Sequence, residues 1–322
     1  MKKQILTGIL CLLTIFTFGQ NPSSWQRAEN FLKKDSITSS LDGYTQHFYY
    51  VKTNHSKPQP LVVELHSWSN TVDSQKEILG DEASAKNWNY ILPNFRGVNN
   101  HTKACCSAFV ISDIDEAIDW ALKNMNIDPK RIYVAGVSGG GYATLAMFMK
   151  SRHKIASFSA WASISDLTTW YSESVERKNK YAAEILQCIG ANDTLDEQKA
   201  QERSPLFWNT PLRKRKKSLL QIYAGIHDGY TGSVPISHSI RFYNKLLTDA
   251  NEKDLTKYVS KDDASVMLKT QTFSTPSTPK MLGDRAILYQ KSAKNITLTI
   301  FEGTHEILNK VVLEIITPSI KP

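Results

Sequence analysis

The stretch "RIYVAGVSGGGYATLAMFMK" (Arg131–Lys150) decides the fold. Its opening is a short apolar run rich in β-formers. It lacks the alternation of a half-exposed strand, which suits a central strand of a parallel sheet. Its second half reads as a helix. Between them Gly136, Val137, Ser138, Gly139, Gly140 and Gly141 set one hydroxyl among four glycines. Glycines alone would serve a tight turn. The GxSxG spacing says more: a strand-to-helix turn this sharp leaves no room for side chains two before and two after the serine. With a strand before it and a helix after it, Ser138 is expected to be presented for chemistry.

Outward from this turn, strand-like runs occur at "TQHFYYVKT" (45–53), "PLVVELH" (60–66), "NYILPNF" (89–95), "IASFSAWA" (155–162), "SLLQIYAG" (218–225) and "ITLTIFEG" (296–303). The two opening strands are close enough to be antiparallel. Helical spacing links Val110, Ile114, Ala117, Ile118 and Ala121, and again Ile236, Ile240, Tyr243 and Leu247 after Pro235. A last helix is expected near "ILNKVVLEII" (307–316). Strands alternating with helices predict an α/β fold with a mostly parallel sheet flanked by helices. Residues 166–217 read as a cap-like helical insertion. Residues 248–295 read as a polar surface excursion in which "AILYQK" (286–291) can form a hairpin with the last strand.

The ends of the chain and its charge narrow the class. "MKK" followed by "ILTGILCLLTIFTF" reads as a signal peptide over residues 1–19, leaving 20–322 as a single domain. Leu10 is too bulky for lipid attachment at Cys11, so no membrane anchor is expected. Lys2 and Lys3 leave with the leader, taking the net charge from +8 to +6. The basic run "RKRKK" (213–217) has no interleaved aromatics and reads as a solvated strand entry, so no nucleic-acid partner is expected. Export allows a disulfide, and Cys188 is expected to pair with Cys105 or Cys106. No CxxC spacing points to metal.

A serine hydroxyl needs a base within reach, an acid to orient the base, and donors for the oxyanion. Of the histidines after Ser138, His153 and His238 fall at or in helices and His227 reads as a structural neighbour. His305 follows the last strand, at the sheet end where such groups collect. Asp228 follows "QIYAGIH" and Asp166 is the rival acid. Ser138, Asp228 and His305 then occur in the order of a Ser-Asp-His triad. Oxyanion donors are expected from the amide of Gly139 and from the loop "HSWSN" (66–70), where Ser67 or Trp68 can serve and Trp68 is preferred; His66 would orient this loop. Arg96 and Asn94 can contact substrate, or Arg96 can form an ion pair with Glu64 or Glu302. Trp68, Trp161, Trp170, Tyr171 and Tyr230 can offer faces to a sugar ring.

"PNFRG" (93–97), "GVSGGG", "RSPL" (203–206), "GIHDGYTGSVPISHSIRFYNKL" (225–246) and "FEGTHE" (301–306) together resemble the catalytic domain of the prolyl oligopeptidase-type serine hydrolases, within the α/β-hydrolase superfamily. The resemblance runs from about Leu61 onward and implies an eight-stranded sheet carrying the triad above. Two departures stand out. Members usually carry a β-propeller ahead of this domain, and the roughly forty residues before the sheet pattern are too few for one. "GYTGS" (229–233) also lengthens the usual spacing between the acid and "VP". The first departure shifts the expectation to a secreted or periplasmic esterase that needs no metal or cofactor. It would act on an acyl or uronate ester of a small molecule or oligosaccharide. The alternatives are a prolyl oligopeptidase-like peptidase and a non-catalytic binding protein on the same fold.

Overall fold

The computed structural model describes residues 32–75, 79–274 and 277–317. The expected leader, with Cys11, lies outside them. Ten strands among the described residues form the sheet: β1 (Lys33–Thr38), β2 (Thr45–Val51), β3 (Gln59–Leu65), β4 (Asn89–Pro93), β5 (Ile127–Val137), β6 (Ser157–Trp161), β7 (Leu219–Gly225), β8 (Met281–Leu282), β9 (Arg285–Ala293) and β10 (Ile296–Phe301). Their order is β1-β2-β4-β3-β5-β6-β7-β10-β9-β8. The six strands from β4 to β10 in this order are parallel; β1, β2, β9 and β8 extend the two edges in antiparallel pairing. The eight strands expected are joined by two edge strands, one polar and exposed and the other too short to give a periodic signal. β1 reads "KKDSIT" and is almost wholly exposed, and β8 is two residues long. β2 and β3 run in opposite directions as expected, but β4 lies between them.

The β5 run pairs with β3 on one side and β6 on the other, placing Val134 against Val63 and Phe158. Strands covered on both faces need no alternation, and this one shows none. Helix α1 (Gly80–Ala85) follows β3. Helix α2 (Ala108–Asn124) buries Val110, Ile114, Ala117, Ile118 and Ala121 against the sheet, and Ser107 Oγ caps it by accepting from the Val110 amide. Helix α3 (Gly139–Lys150) is buried all round except at its last residue, as its uniformly apolar sequence requires.

Residues 166–217 carry α4 (Leu167–Glu176), α5 (Tyr181–Ile189), α6 (Glu197–Glu202) and α7 (Leu212–Arg215). Cys105, in the loop before α2, is bonded to Cys188 near the end of α5. Closing a loop of 83 residues is worth about 4–5 kcal/mol in the chain-entropy account. Cys106 remains a buried thiol, and burial pushes its pKa up. Helices α8 (Ser237–Asp249), α9 (Lys261–Thr270) and α10 (Asn309–Ile315) complete the layers.

The basic run 213–217 is not uniformly solvated. Arg215 is buried and spends its guanidinium on backbone carbonyls at the end of α3: those of Phe148 (2.6 Å), Met147 (2.9 Å), Ser151 (3.0 Å) and His153 (3.0 Å). A cation at a helix C-terminus meets both the orphan carbonyls and the negative end of the dipole. Burial lowers its pKa to about 10, still well above neutrality. Arg215→Met is expected to cost about 2–4 kcal/mol in urea unfolding, because it strands buried acceptors. Arg213→Met, at an exposed position, should cost less than about 0.5 kcal/mol.

Candidate active site

The turn between β5 and α3 holds Ser138 at φ 59°, a strained conformation for a residue with a side chain. Its amide is tied to the Trp161 carbonyl of β6 at 2.9 Å. The neighbouring glycines are required by close approach. A Cβ on Gly140 would press into the Leu65 carbonyl of β3, and one on Gly139 into the Trp68 backbone, each closer than any real Cβ contact. The steric account of GxSxG therefore holds here atom by atom.

His305 follows β10, and Asp228 follows β7. Asp228 is 1% exposed, and its Oδ2 lies 2.8 Å from His305 Nδ1. The other carboxylate oxygen accepts from the Val234 amide at 3.1 Å. A carboxylate only accepts, so the imidazole proton sits on Nδ1 and Nε2 is left as the basic nitrogen. Ser138 and His305 border one cleft of about 270 Å³. Asp166 lies elsewhere. It caps α4 by accepting from the Thr168 and Thr169 amides and pairs with Arg241. His153, His227 and His238 are each held by acidic or backbone oxygens away from this pair.

The five-residue "GYTGS" segment wraps the acid. Gly232 packs so tightly on Asp228 and the His305 Cβ that no side chain fits there. The Ser233 carbonyl accepts from Trp170 Nε1 (2.9 Å) and Arg177 (3.2 Å), which pins the segment to α4.

The loop after β3 supplies amides opposite Ser138, and its bonds show which amide is free. The Ser67 amide donates to Gln75 Oε1 (3.3 Å), Ser67 Oγ donates to the Val137 carbonyl (3.1 Å), and the Trp68 carbonyl accepts from the Asn99 amide (2.9 Å). The Trp68 amide donates to no acceptor among the described residues and lies beside Gly139. Gly139, first in α3, has no intrahelical acceptor for its own amide. Two unspent donors thus sit together, as an oxyanion would require. His66 braces this loop from behind: it is fully buried, stacks on Phe95 at 3.9 Å, and sets its nitrogens against the Ser67 and Asn94 carbonyls. Burial lowers its pKa.

Two residues expected near substrate lie elsewhere. Arg96 is buried and bonded to Asp113 (2.6 Å) and Asp42 (2.8 Å), not to Glu64 or Glu302. Its partners come from α2 and from the β1–β2 turn, which no sequence spacing indicates. Trp161 is fully buried, stacked on Tyr223 at 4.2 Å, with its indole N–H on Ser159. Trp68 and Trp170 are buried beneath the cleft, while Tyr230 projects into solvent and bonds the Leu268 carbonyl. Together with Ser67 and Trp68, the wall is built from Ser69, Asn70, Tyr181, Glu306 and Ile307. Glu306 adjoins the base in "FEGTHE" and was open to inference from that alone. Tyr181, stacked on Trp170 at 4.8 Å, sits in a helical insertion without a motif.

The sequence profile of the prolyl oligopeptidase family matches residues 85–265, over half of the chain. The chain belongs to the prolyl oligopeptidase family. The match takes in Ser138 and Asp228, and His305 lies beyond it. Among solved structures the chain is similar to the acylaminoacyl peptidase of Pyrococcus horikoshii, with 17% identity over 68% of this chain and 36% of that one, TM-score 0.54. It is similar to a puromycin-hydrolyzing peptidase of Mycobacterium tuberculosis, with 17% identity over 74% and 37%, TM-score 0.54. It is also similar to prolyl oligopeptidase B of Galerina marginata, with 14% identity over 73% and 35%, TM-score 0.54. The aligned part spans little more than a third of those chains. At these identities the likeness carries the α/β-hydrolase fold. None of the curated proteins matches the chain. The family is one of serine hydrolases. No helix among the described residues is long and apolar enough to cross a membrane.

Proposed function

We propose that the chain hydrolyses the amide bond of short peptides or aminoacyl amides through Ser138. His305 Nε2 takes the Ser138 proton as Oγ attacks the carbonyl carbon, and Asp228 steadies the imidazolium. The amides of Gly139 and Trp68 bind the oxyanion. As the tetrahedral adduct collapses, His305 gives its proton to the departing amine, leaving an acyl-enzyme. A water molecule then attacks, passing its proton to His305, and the acid product leaves as Ser138 regains its proton. The observation that carries this reading is the 2.8 Å bond from His305 to buried Asp228, with the imidazole on the cleft that holds Ser138. The family match favours an amide over the carbohydrate ester that sequence reasoning preferred.

The ester remains the second reading because of Tyr181. Its half-buried ring is backed by Trp170 and stands on the cleft wall with Ser69 and Asn70, a surface that suits a sugar. Export to an oxidising compartment suits the bond between Cys105 and Cys188.

A fluorophosphonate probe is expected to label the protein at Ser138 and to leave Ser138→Ala unlabelled. Labelling that persists in the alanine variant, or no labelling of the native chain, overturns the mechanism. The bond class is read from a panel of aminoacyl and acylaminoacyl amides set against acetylated sugars and glucuronoyl esters. Turnover of the amides is expected. Turnover confined to the sugar esters replaces the first reading with the second.

A further inference from the structure

We propose that Glu64 and Gln75 are positioning residues that orient the Ser67–Trp68 turn so that the Trp68 amide faces the reacting carbonyl. The proposal rests on the catalytic reading above. Glu64, one residue from the end of β3, is 4% exposed. Its carboxylate accepts from the Leu79 amide (2.6 Å), Tyr90 Oη (2.7 Å) and Gln75 Nε2 (3.4 Å). Gln75 is equally buried and has two chemically different faces. A carboxylate offers only lone pairs, so the Gln75 NH2 must turn toward Glu64. The Gln75 carbonyl oxygen then points at the loop, where it accepts from the Ser67 amide (3.3 Å) and from Asn70 Nδ2 (2.8 Å). Ser67 and Asn70 both border the cleft.

This relay uses up the Ser67 amide and leaves the next one along the chain unspent. It also explains an otherwise costly choice. A buried carboxylate is expensive, and burial pushes the Glu64 carboxyl up to about 7. Packing alone needs no charge at this position, whereas an unambiguous orientation of the Gln75 amide needs a group that cannot donate. The network joins β3, β4, the start of α1 and the oxyanion loop through the buried side chains of Glu64, Gln75 and Tyr90.

The test exploits the polarity of the relay. In Glu64→Gln the new carbonyl oxygen can keep Leu79 and Tyr90, but the new NH2 then faces the NH2 of Gln75. Gln75 must turn over to accept, and it presents its own NH2 to the Ser67 and Asn70 donors. In the double variant Glu64→Gln/Gln75→Glu, the NH2 at position 64 donates to a carboxylate at position 75. The second oxygen of that carboxylate accepts from the loop again. At a pH above the Glu64 value, E64Q is expected to lose about 10- to 100-fold in kcat, with KM within about threefold of native, because a displaced oxyanion donor acts mainly on the transition state. Q75M, which leaves Leu79 and Tyr90 bonded to Glu64, should lose a similar factor. The double variant should recover kcat to within about threefold of native, and thermal melts run alongside identify any variant that is not folded. Native kcat in folded Q75M, or no recovery in a folded double variant, overturns the proposal. Absence of probe labelling in the native protein overturns the catalytic reading as well, so the two failures are distinguishable.

Discussion

Asp228→Asn is expected to lower kcat by about 10⁴, with little change in KM. The size of the effect follows from the two bonds of the carboxylate. One oxygen accepts from the Val234 amide and the other from His305 Nδ1. An asparagine has a single acceptor, and Val234 claims it, so the new NH2 is turned toward the imidazole. His305 must then accept at Nδ1 and carry its proton on Nε2, where it can no longer take one from Ser138. The fold should tolerate the change, since volume is conserved. Steady-state kinetics of Asp228→Asn and Asp166→Asn, with thermal melts for both, check the assignment. Asp166 caps α4 and pairs with Arg241; an asparagine can still cap the helix, so its variant gives up only the ion pair and should keep kcat within about threefold of native. A fall in kcat at Asp166 with native rates at Asp228 would assign the acid to the wrong strand end.

Gly232→Ala is expected to lower kcat by about 10²–10³, the scale on which misplaced catalytic groups lose activity. A methyl group here meets Asp228 Oδ1 and His305 Cβ closer than 3.0 Å. Neither can retreat cheaply. Asp228 is fixed by Val234 and His305, and the segment itself is fixed to α4 through Ser233. The accommodation must therefore come from the geometry of the acid–base pair. Tyr230→Ala, in the same segment but exposed, should stay within about threefold of native. Kinetics of the two variants side by side separate disruption of the pair from general loosening of the segment. Equal effects would show that the packing on Asp228 is not what matters.

Much of the site was legible in the chain itself because it depends on order and local sterics. GxSxG between a strand and a helix states its own geometry, and an acid and a histidine after later strands of a parallel sheet arrive at the same rim. The parts that were not legible depend on groups far apart in sequence. Arg96 meets Asp42, 54 residues earlier, and Asp113 across α2, and no periodicity links them. Arg215 stands in a run of like charges, and only its burial against the end of α3 separates it from its neighbours. The choice of Trp68 over Ser67 becomes a matter of accounting once the Ser67 amide is seen to be spent on Gln75. Glu64, considered as a partner for Arg96, serves a different network altogether. Of the extra strands at the edges, β1 is exposed and polar and has no inward face to write into the sequence, and β8, two residues long, is too short to show any alternation.

The tether from Cys105 to Cys188 has a consequence for traffic through the site. Tyr181 starts the helix that Cys188 nearly ends, and Glu184 of the same helix holds the Trp68 indole at 2.8 Å. A helix sewn at one end and hydrogen-bonded near the other cannot swing outward as a door. On the proposed reading, the rim that Tyr181 gives the cleft then keeps its register with Trp68 while a reactant enters.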